Sequence, residues 1–313
     1  MISKKEYGLE QMSKLHVIIV TFNGIKWIDK CLHSILESTV PSTIIIVDNK
    51  SSDETIPYLK KHYPDIILFE NKKNLGFGRS NNIGIKYALE NNADYIYLLN
   101  QDAWVEPNTF EDLINIQKSH PDFGVLSPIQ MTASKTKLDD FFATLCIARN
   151  KENIISDIYL NKCKEIYEVD FVMAAHWLIS KECIINIGGF SSIFTHYGED
   201  NNYLHRCHYH GYKVGICPKV IAVHDREFRK RTPAELFYLK YNSAFLVDLN
   251  NINNSIIKSI LKAYCNLIFD EIKLMIKTNS IKPLTYIWKS LFILKKTFSN
   301  RKLTTKKGTW FLK

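Results

Sequence analysis

Apolar residues in the first hundred positions fall into short solid runs separated by stretches of helical spacing. His16–Thr21 is a continuous, largely β-branched run; Trp27–Ser38 then carries Ile28, Cys31, Leu32, Ile35 and Leu36 three and four apart, the period that lines one helix face. Thr43–Val47 predicts a second buried strand and Ile56–His62 a short helix. Ile66–Phe69 predicts a third strand, Arg79–Asn91 a helix bearing Ile83, Ile85, Tyr87, Ala88 and Leu89, and Tyr95–Leu99 a fourth strand. Strands with no polar alternation, each followed by a helix, predict an α/β fold with a mostly parallel central sheet covered on both faces.

The rhythm changes after residue 123. Gly124–Ser127 and Val169–Ala174 predict strands, and the polar stretch from Thr132 to Tyr167 between them predicts a loop with a small hairpin. Lys181–Ile187 predicts a helix stopped by Gly188-Gly189, the usual glycine terminator. Val214–Cys217 and Val220–Val223 predict late strands, and from about Pro233 the spacing is helical. Residues 255–276 set Ile256, Ile257, Ile260, Leu261, Tyr264, Leu267, Ile268, Ile272 and Met275 on one side, with Lys258, Lys262, Lys273 and Lys277 among them. A second such segment follows Pro283, with Ile287, Trp288, Leu291, Phe292 and Leu294 beside Lys289, Lys295 and Lys296. The expected division is an N-terminal extension (1–14), one large α/β domain (15–235) and a basic helical extension (236–313).

Composition narrows the picture. The 313 residues are 46% hydrophobic and 23% charged, as in a folded globular protein. A net charge of +9 calls for an anionic partner: a phosphorylated donor, a nucleic acid or an acidic membrane surface. No nucleic-acid motif accompanies the charge, so no nucleic-acid partner is expected. The basic amphipathic helices with tryptophan fit peripheral contact with a membrane; the other reading packs them on the catalytic body or on a second protomer, which leaves an oligomer open. No run approaches the roughly 20 apolar residues of a membrane span, and Met1 to Lys14 has no signal-peptide core. The expected location is therefore cytoplasmic, at the inner face of the cell membrane. Seven cysteines, never spaced C-x-x-C, predict reduced thiols. His205, Cys207, His208 and His210 cluster on one predicted helix, without a partner pair at zinc-finger spacing.

In an open α/β sheet, ligands gather at the carboxyl ends of the strands. Here those ends read Thr21-Phe22-Asn23, Asp48-Asn49-Lys50-Ser51-Ser52-Asp53, Asn74-Leu75-Gly76-Phe77-Gly78-Arg79 and Asn100-Gln101-Asp102. Ser51 and Asp53 fit equally well as caps of the following helix. Four crossovers delivering polar ends to one sheet edge point to a binding site there.

The ordered series V-I-I-V-T-F-N, I-I-V-D-N-x-S-x-D, N-x-G-F-G-x-x-x-N-x-G and L-L-N-Q-D, then Gly188-Gly189-Phe190, Tyr197-Gly198-Glu199-Asp200 and His224, resembles the family 2 inverting glycosyltransferases of GT-A fold, in the rhamnosyltransferase-like branch. The resemblance spans residues 15 to 245. It implies a Rossmann-like nucleotide-diphospho-sugar transferase using Mg²⁺ or Mn²⁺. Its partners would be a nucleotide-sugar donor and a glycan or lipid-linked saccharide acceptor. It places Thr21, Asn23, Asp48, Asn49, Gly76, Phe77, Arg79, Asn81, Asn100 and Gln101 around the donor. Asp48 would accept from a pyrimidine base and Asn100 would bond the ribose. It makes Asp102 and His224 metal ligands, Asp200 the general base, and Glu199 a residue that orients the acceptor. Acids opening a helix also stabilise its dipole, and that reading of Glu199 and Asp200 stays open.

His176, Trp177, Phe190 and Tyr197 are expected at the acceptor pocket, the first pair standing where relatives carry small residues. A second departure is Tyr238-Leu239-Lys240-Tyr241-Asn242, which lacks an arginine of the family pattern. With Asn100 in place of an aspartate, it leaves a catalytically degenerate glycan-binding or scaffold homologue as the alternative. A pyrophosphorylase or a dehydrogenase would need a glycine-rich loop after the first strand, and Thr21-Phe22-Asn23-Gly24-Ile25 is not one.

Overall fold

The structure is a computed structural model that describes residues 13–148, 152–226, 241–278 and 284–312. The expected boundary at 235/236, residues 238–240 and residues 1–12 lie outside the described residues. The first half alternates β1 (Leu15–Thr21), α1 (Ile28–Leu36), β2 (Ser42–Asp48), α2 (Thr55–His62), β3 (Ile67–Glu70), α3 (Phe77–Glu90) and β4 (Tyr95–Asn100). There follow β5 (Ala103–Val105), α4 (Thr109–Ser119), β6 (Phe123–Met131), α5 (Ile154–Tyr159), β7 (Tyr167–Glu168), β8 (His176–Ser180), α6 (Lys181–Ile187), α7 (Glu199–Tyr209) and β9 (Lys213–His224).

One sheet runs β3-β2-β1-β4-β8-β6-β9-β5, with β7 against β9. The β3-β2-β1-β4 half is parallel throughout, while β8 lies antiparallel to both β4 and β6. Alternation along β1 shows why the strand must be apolar on both sides. Val17 and Ile19 enter a core with α1, α2 and α4, and Ile18 enters a second core with α3, α6 and α7. In-register pairing sets Thr21 opposite Asp48 and Val20 opposite Asn100, so three strand ends reach one edge together.

Several elements differ from the sequence expectation. Val169–Ala174 is a non-repetitive passage, and the strand begins at His176; Asn100 N–H bonds the Ala175 carbonyl and fixes where pairing starts. The two late strands are a single strand, β9, whose register against β6 shifts after Cys217. Pro218 has no N–H to give the ladder there. The small hairpin after Thr132 is reduced to an antiparallel bridge, Met131 to Leu138, flanked by Asp139 N–H to Gln130 and Thr132 N–H to Lys137 carbonyl bonds, and is followed by a π-helical turn at Phe142–Ile147 and the short α5. Helix α4 has no counterpart in the sequence expectation; it buries Phe110, Leu113, Ile114 and Gln117 at helical spacing.

The C-terminal helices Ile256–Thr278, Leu284–Leu291 and Leu294–Thr304 are tied to the body. Phe245, Leu246, Leu249, Ala263 and Leu267 form a third apolar cluster with Phe194. The last residues return to the sheet domain: Gly189 N–H bonds the Trp310 carbonyl, and Leu312 is buried in the α3/α6/α7 core.

Candidate active site

A cavity of about 1190 Å³ opens at the carboxyl edge of β1, β2 and β4, above the 300–1,000 Å³ of typical small-ligand pockets and roomy enough for a donor and the end of an acceptor. Its walls include Thr21, Asn23, Asn49, Gly76, Phe77, Asn100, Gln101, Asp102, Tyr197, Glu199, Asp200 and His224. Twelve of the expected residues are thus brought together from six separate segments.

The first wall is a stitched pair of loops. Asp48 is buried; its carboxylate accepts from the Thr21 hydroxyl (2.8 Å) and from Ser51 Oγ and N–H (2.5 and 2.8 Å). Asn23, at φ 50°, gives its N–H to Ser51 Oγ and takes Ser52 N–H on its amide oxygen. Gln101 grips the backbone of Phe22 from both ends of its amide, at 2.9 and 3.2 Å. Asp48 stands just behind the cavity wall, where its bonds to Thr21 and Ser51 brace this loop pair.

The second wall is the loop into α3. Asn49 Oδ1 collects Leu75 N–H, Asn71 Nδ2 and Ser80 Oγ. Gly76 sits at φ 82°, and a Cβ there would lie 2.2 Å from the Thr195 carbonyl oxygen, so only glycine fits. The first turn of α3 has no side-chain cap and opens at the cavity through Gly76 and Phe77, presenting the positive end of a helix dipole. Arg79 and Asn81 are elsewhere: Arg79 donates to the Ser192 carbonyl at 2.8 Å, and Asn81 is buried and donates to the Phe77 carbonyl. Both hold the loop and neither lines the cavity.

The third wall joins β4 to β9. Pairing of Ala103 with His224 and an Asp225 N–H to Asp102 carbonyl bond (2.7 Å) bring Asp102 Oδ1 to 3.4 Å from His224 Nε2. Asn100 Nδ2 is 3.4 Å from the same nitrogen. Trp27 Nε1 donates to Asp225 at 2.9 Å and clasps the β1 loop to this corner. One carboxylate and one imidazole fit two positions around a divalent cation with mixed N and O ligation. Among the described residues no group of three or more His, Cys, Asp or Glu could hold a metal. The cluster around His205 disperses instead: His208 faces the Asp170 carbonyl and His210 the Thr304 carbonyl.

Facing this corner is the start of α7. Tyr197 and Gly198 are both left-handed (φ 64° and 91°), and this double turn aims the helix N-terminus at the cavity. Glu199 is buried with Oε2 unpartnered by hydrogen bond. Burial, then the neighbouring Asp200, pushes its carboxyl up to about 8. Burial also raises Asp200, opposed by hydrogen bonds from Asn201 and by the charge of Arg226. Two adjacent carboxyls at the start of α7 are therefore both held above their ordinary range, chiefly by burial.

Sequence reasoning missed Arg226 and Asp139. Arg226 lines the cavity and makes a bidentate pair with buried Asp139 at 2.7 and 2.5 Å. Burial drives the Asp139 carboxyl up, but the hydrogen bonds and charge of Arg226 outweigh it and hold the group low. The available signal was an arginine two residues beyond His224. His176, Trp177 and Phe190, expected at the acceptor, are fully buried and off the cavity wall. His176 lies 3.0 Å from both the Tyr97 hydroxyl and the Val223 carbonyl, while Trp177 stacks on Phe190 at 6.1 Å. β8 lies inside the sheet with both faces covered, so its side chains become core. Asn82 holds the Phe190 loop by its N–H and carbonyl, at 2.7 and 2.9 Å.

Residues 16–186 match the family described as Glycosyl transferase family 2. The low-salt glycan biosynthesis hexosyltransferase Agl10 of Haloferax volcanii is 23% identical over 255 residues, 78% of each chain. The dTDP-rhamnosyl transferase RfbF of Shigella flexneri is 22% identical over 286 residues, 86% of this chain and 91% of its own. A mannosyltransferase from Pyrobaculum calidifontis, PcManGT, solved with GDP-Man and Mn²⁺, superposes with a TM-score of 0.52 at 16% identity, covering 97% of this chain and 86% of its own. The fold is that of the GT-A transferases.

Proposed function

The chain belongs to glycosyl transferase family 2, and from that premise we propose that it moves a hexosyl or deoxyhexosyl group from a UDP- or dTDP-sugar to a hydroxyl of a growing or lipid-linked surface glycan, with inversion. The observation that carries this reading is the opposition, across one cavity, of the Asp102–His224 pair and the Glu199-Asp200 helix start. Rhamnose is the sugar suggested by the likeness to RfbF. The enzyme works at the cytoplasmic face of a membrane, where lipid-linked acceptors present themselves.

Asp102 and His224 would hold Mg²⁺ or Mn²⁺, which when bound supplies charge neutralisation for the departing diphosphate. Lys26, Arg226 and the open first turn of α3 add positive potential along the cavity walls. Thr21, Asn23, Asn49 and Gln101 on the clasped loops hold the nucleoside end, with Asp48 behind them bonded to Thr21 and Ser51. Asn100 bonds a ribose hydroxyl. Asp200, ionised, takes the acceptor proton as the hydroxyl attacks the anomeric carbon; such a base is worth about 10²–10⁴-fold. Glu199, protonated at neutral pH, donates a hydrogen bond that orients the acceptor, and Tyr197 forms the adjoining wall.

The test is nucleotide release by the purified protein across UDP-, dTDP- and GDP-sugars, with Mn²⁺ or with EDTA, beside Asp102→Ala and Asp200→Ala. Metal-dependent release of a single nucleotide diphosphate, lost in Asp102→Ala, names the donor. Absence of turnover and of any donor-dependent thermal shift would overturn the catalytic assignments.

A further inference from the structure

The positive charge of this protein is concentrated at one end. Residues 256–313 hold 13 of the 41 Lys and Arg and 2 of the 32 Asp and Glu, a surplus of 11, so residues 1–255 carry a net charge of −2. The donor site therefore does not account for the basic character of the chain.

In helix Ile256–Thr278 the apolar arc is wider than the protein covers. Ala263 and Leu267 are buried against the third cluster. Ile257, Leu261, Ile268, Ile272 and Ile276 recur at helical intervals on the outward side and are 69%, 61%, 42%, 47% and 79% exposed. At 100° per residue they share an arc of about 100°, and Lys258 and Lys273 border it on the side away from the core, beside Lys262, which pairs with Asp248 at 2.8 Å. Lys273 lies 4.1 Å over the ring of Phe269, itself exposed. The Ser290 hydroxyl bonds Tyr264 at 3.2 Å and ties the next helix alongside. That helix and the turn after it add Trp288 and Phe292, 71% and 80% exposed, followed by exposed Lys295 and Lys296.

An anionic lipid surface satisfies both features. Acyl chains take up the isoleucines, Phe269, Trp288 and Phe292, and headgroup phosphates meet the lysines at the rim. A second copy would bring one surplus of positive charge against another, and a nucleic acid would leave the isoleucines in water. We propose that the outer face of helices Ile256–Thr278 and Leu284–Leu291, continued through Phe292 to Lys296, docks this protein on a bilayer containing anionic lipid. No helix among the described residues is long and apolar enough to cross a membrane, and the contact proposed for this face is a peripheral one. The surface is separate from the cavity, and the inference holds whatever acceptor the site takes.

The full chain is sedimented with vesicles of phosphatidylcholine alone and with added phosphatidylglycerol, at low and high salt. Two variants run beside it: Lys258→Gln/Lys273→Gln/Lys295→Gln/Lys296→Gln, and Ile268→Ser/Ile272→Ser/Ile276→Ser. Binding at least tenfold stronger to the anionic vesicles is expected. High salt should abolish it, each lysine removed should weaken it about fivefold, and the serine variant should lose it, with Tm unchanged for both. No binding to either vesicle, or equal binding to both, overturns the proposal. So does a dimer in light scattering that the serine variant splits, since a second copy then covers the face. Nucleotide release without vesicles is measured on every variant; it should stay at the level of the parent chain, so a failed vesicle test and a failed catalytic test remain distinct.

Discussion

Glu199→Gln isolates the electrostatics of the α7 start. Glu199 is 6% exposed and its Oε2 has no hydrogen-bond partner. Its carboxyl rises from 4.5 to about 8, through burial first and Asp200 second. Below pH 4.5 the folded and unfolded chains both carry this proton, and the group's stabilising contribution is fully present. Between 4.5 and about 8 the unfolded chain has released the proton and the folded chain has not, so stability falls as pH rises, by about 1.4 kcal/mol per pH unit. Across the window that amounts to roughly 5 kcal/mol at most. Water in the cavity screens one side of the group, and about half of that is expected to appear. Glutamine has nearly the same shape and does not ionise. The assay is Tm against pH for the parent chain and Glu199→Gln. The two should agree near pH 5 and separate by ~5 °C near pH 8.5, at ~2 °C per kcal/mol for a chain of this size, with the variant the more stable. Taking the difference between the two curves removes every other titration common to both. Parallel curves from pH 5 to 8.5 would falsify the assignment of a protonated Glu199 at neutral pH.

The remaining predictions concern neighbouring residues. Burial raises the Asp200 carboxyl above its ordinary 3.8, so the acid limb of sugar transfer should lie above that value and vanish, with a 10²–10⁴-fold loss of kcat, in Asp200→Asn. Gly76→Ala must move the Thr195 carbonyl or abandon φ 82°; a loss of about 1–3 kcal/mol by denaturant titration and weaker donor binding are expected. Arg226→Ala strands the buried Asp139 carboxylate and should cost about 3–5 kcal/mol, whereas Arg226→Ala/Asp139→Leu should recover much of that stability without recovering turnover. Burial lowers His176 to about 3, so the folded chain resists protonation there. Its contribution is present above 6.5 and lost as pH falls toward 3, and His176→Phe should flatten that acid loss while leaving the donor Kd within about twofold.

Periodicity sufficed for the parallel half of the sheet. Both faces of β1 and β2 are buried, so their residues must be apolar throughout, and the flanking helices carry one buried stripe each. Most of the cavity was legible for a related reason: in-register parallel strands deliver their carboxyl ends to one edge, so polar residues after Thr21, Asp48 and Asn100 had to meet. Tertiary structure decided which of those polar groups face the cavity and which brace it. Asp48, Arg79 and Asn81 bear the same kinds of side chain as their neighbours, yet their hydrogen bonds go to Thr21, Ser51, Ser192 and Phe77. His176 and Trp177 follow a segment without a clear period, and only the antiparallel insertion of β8 between β4 and β6 showed that aromatic side chains there become core. The Arg226–Asp139 pair joins residues 87 apart. Local sequence sets the period of each element and the residues at its ends. Contacts made across the sheet set the direction of each polar group and the fraction of its proton affinity that burial changes.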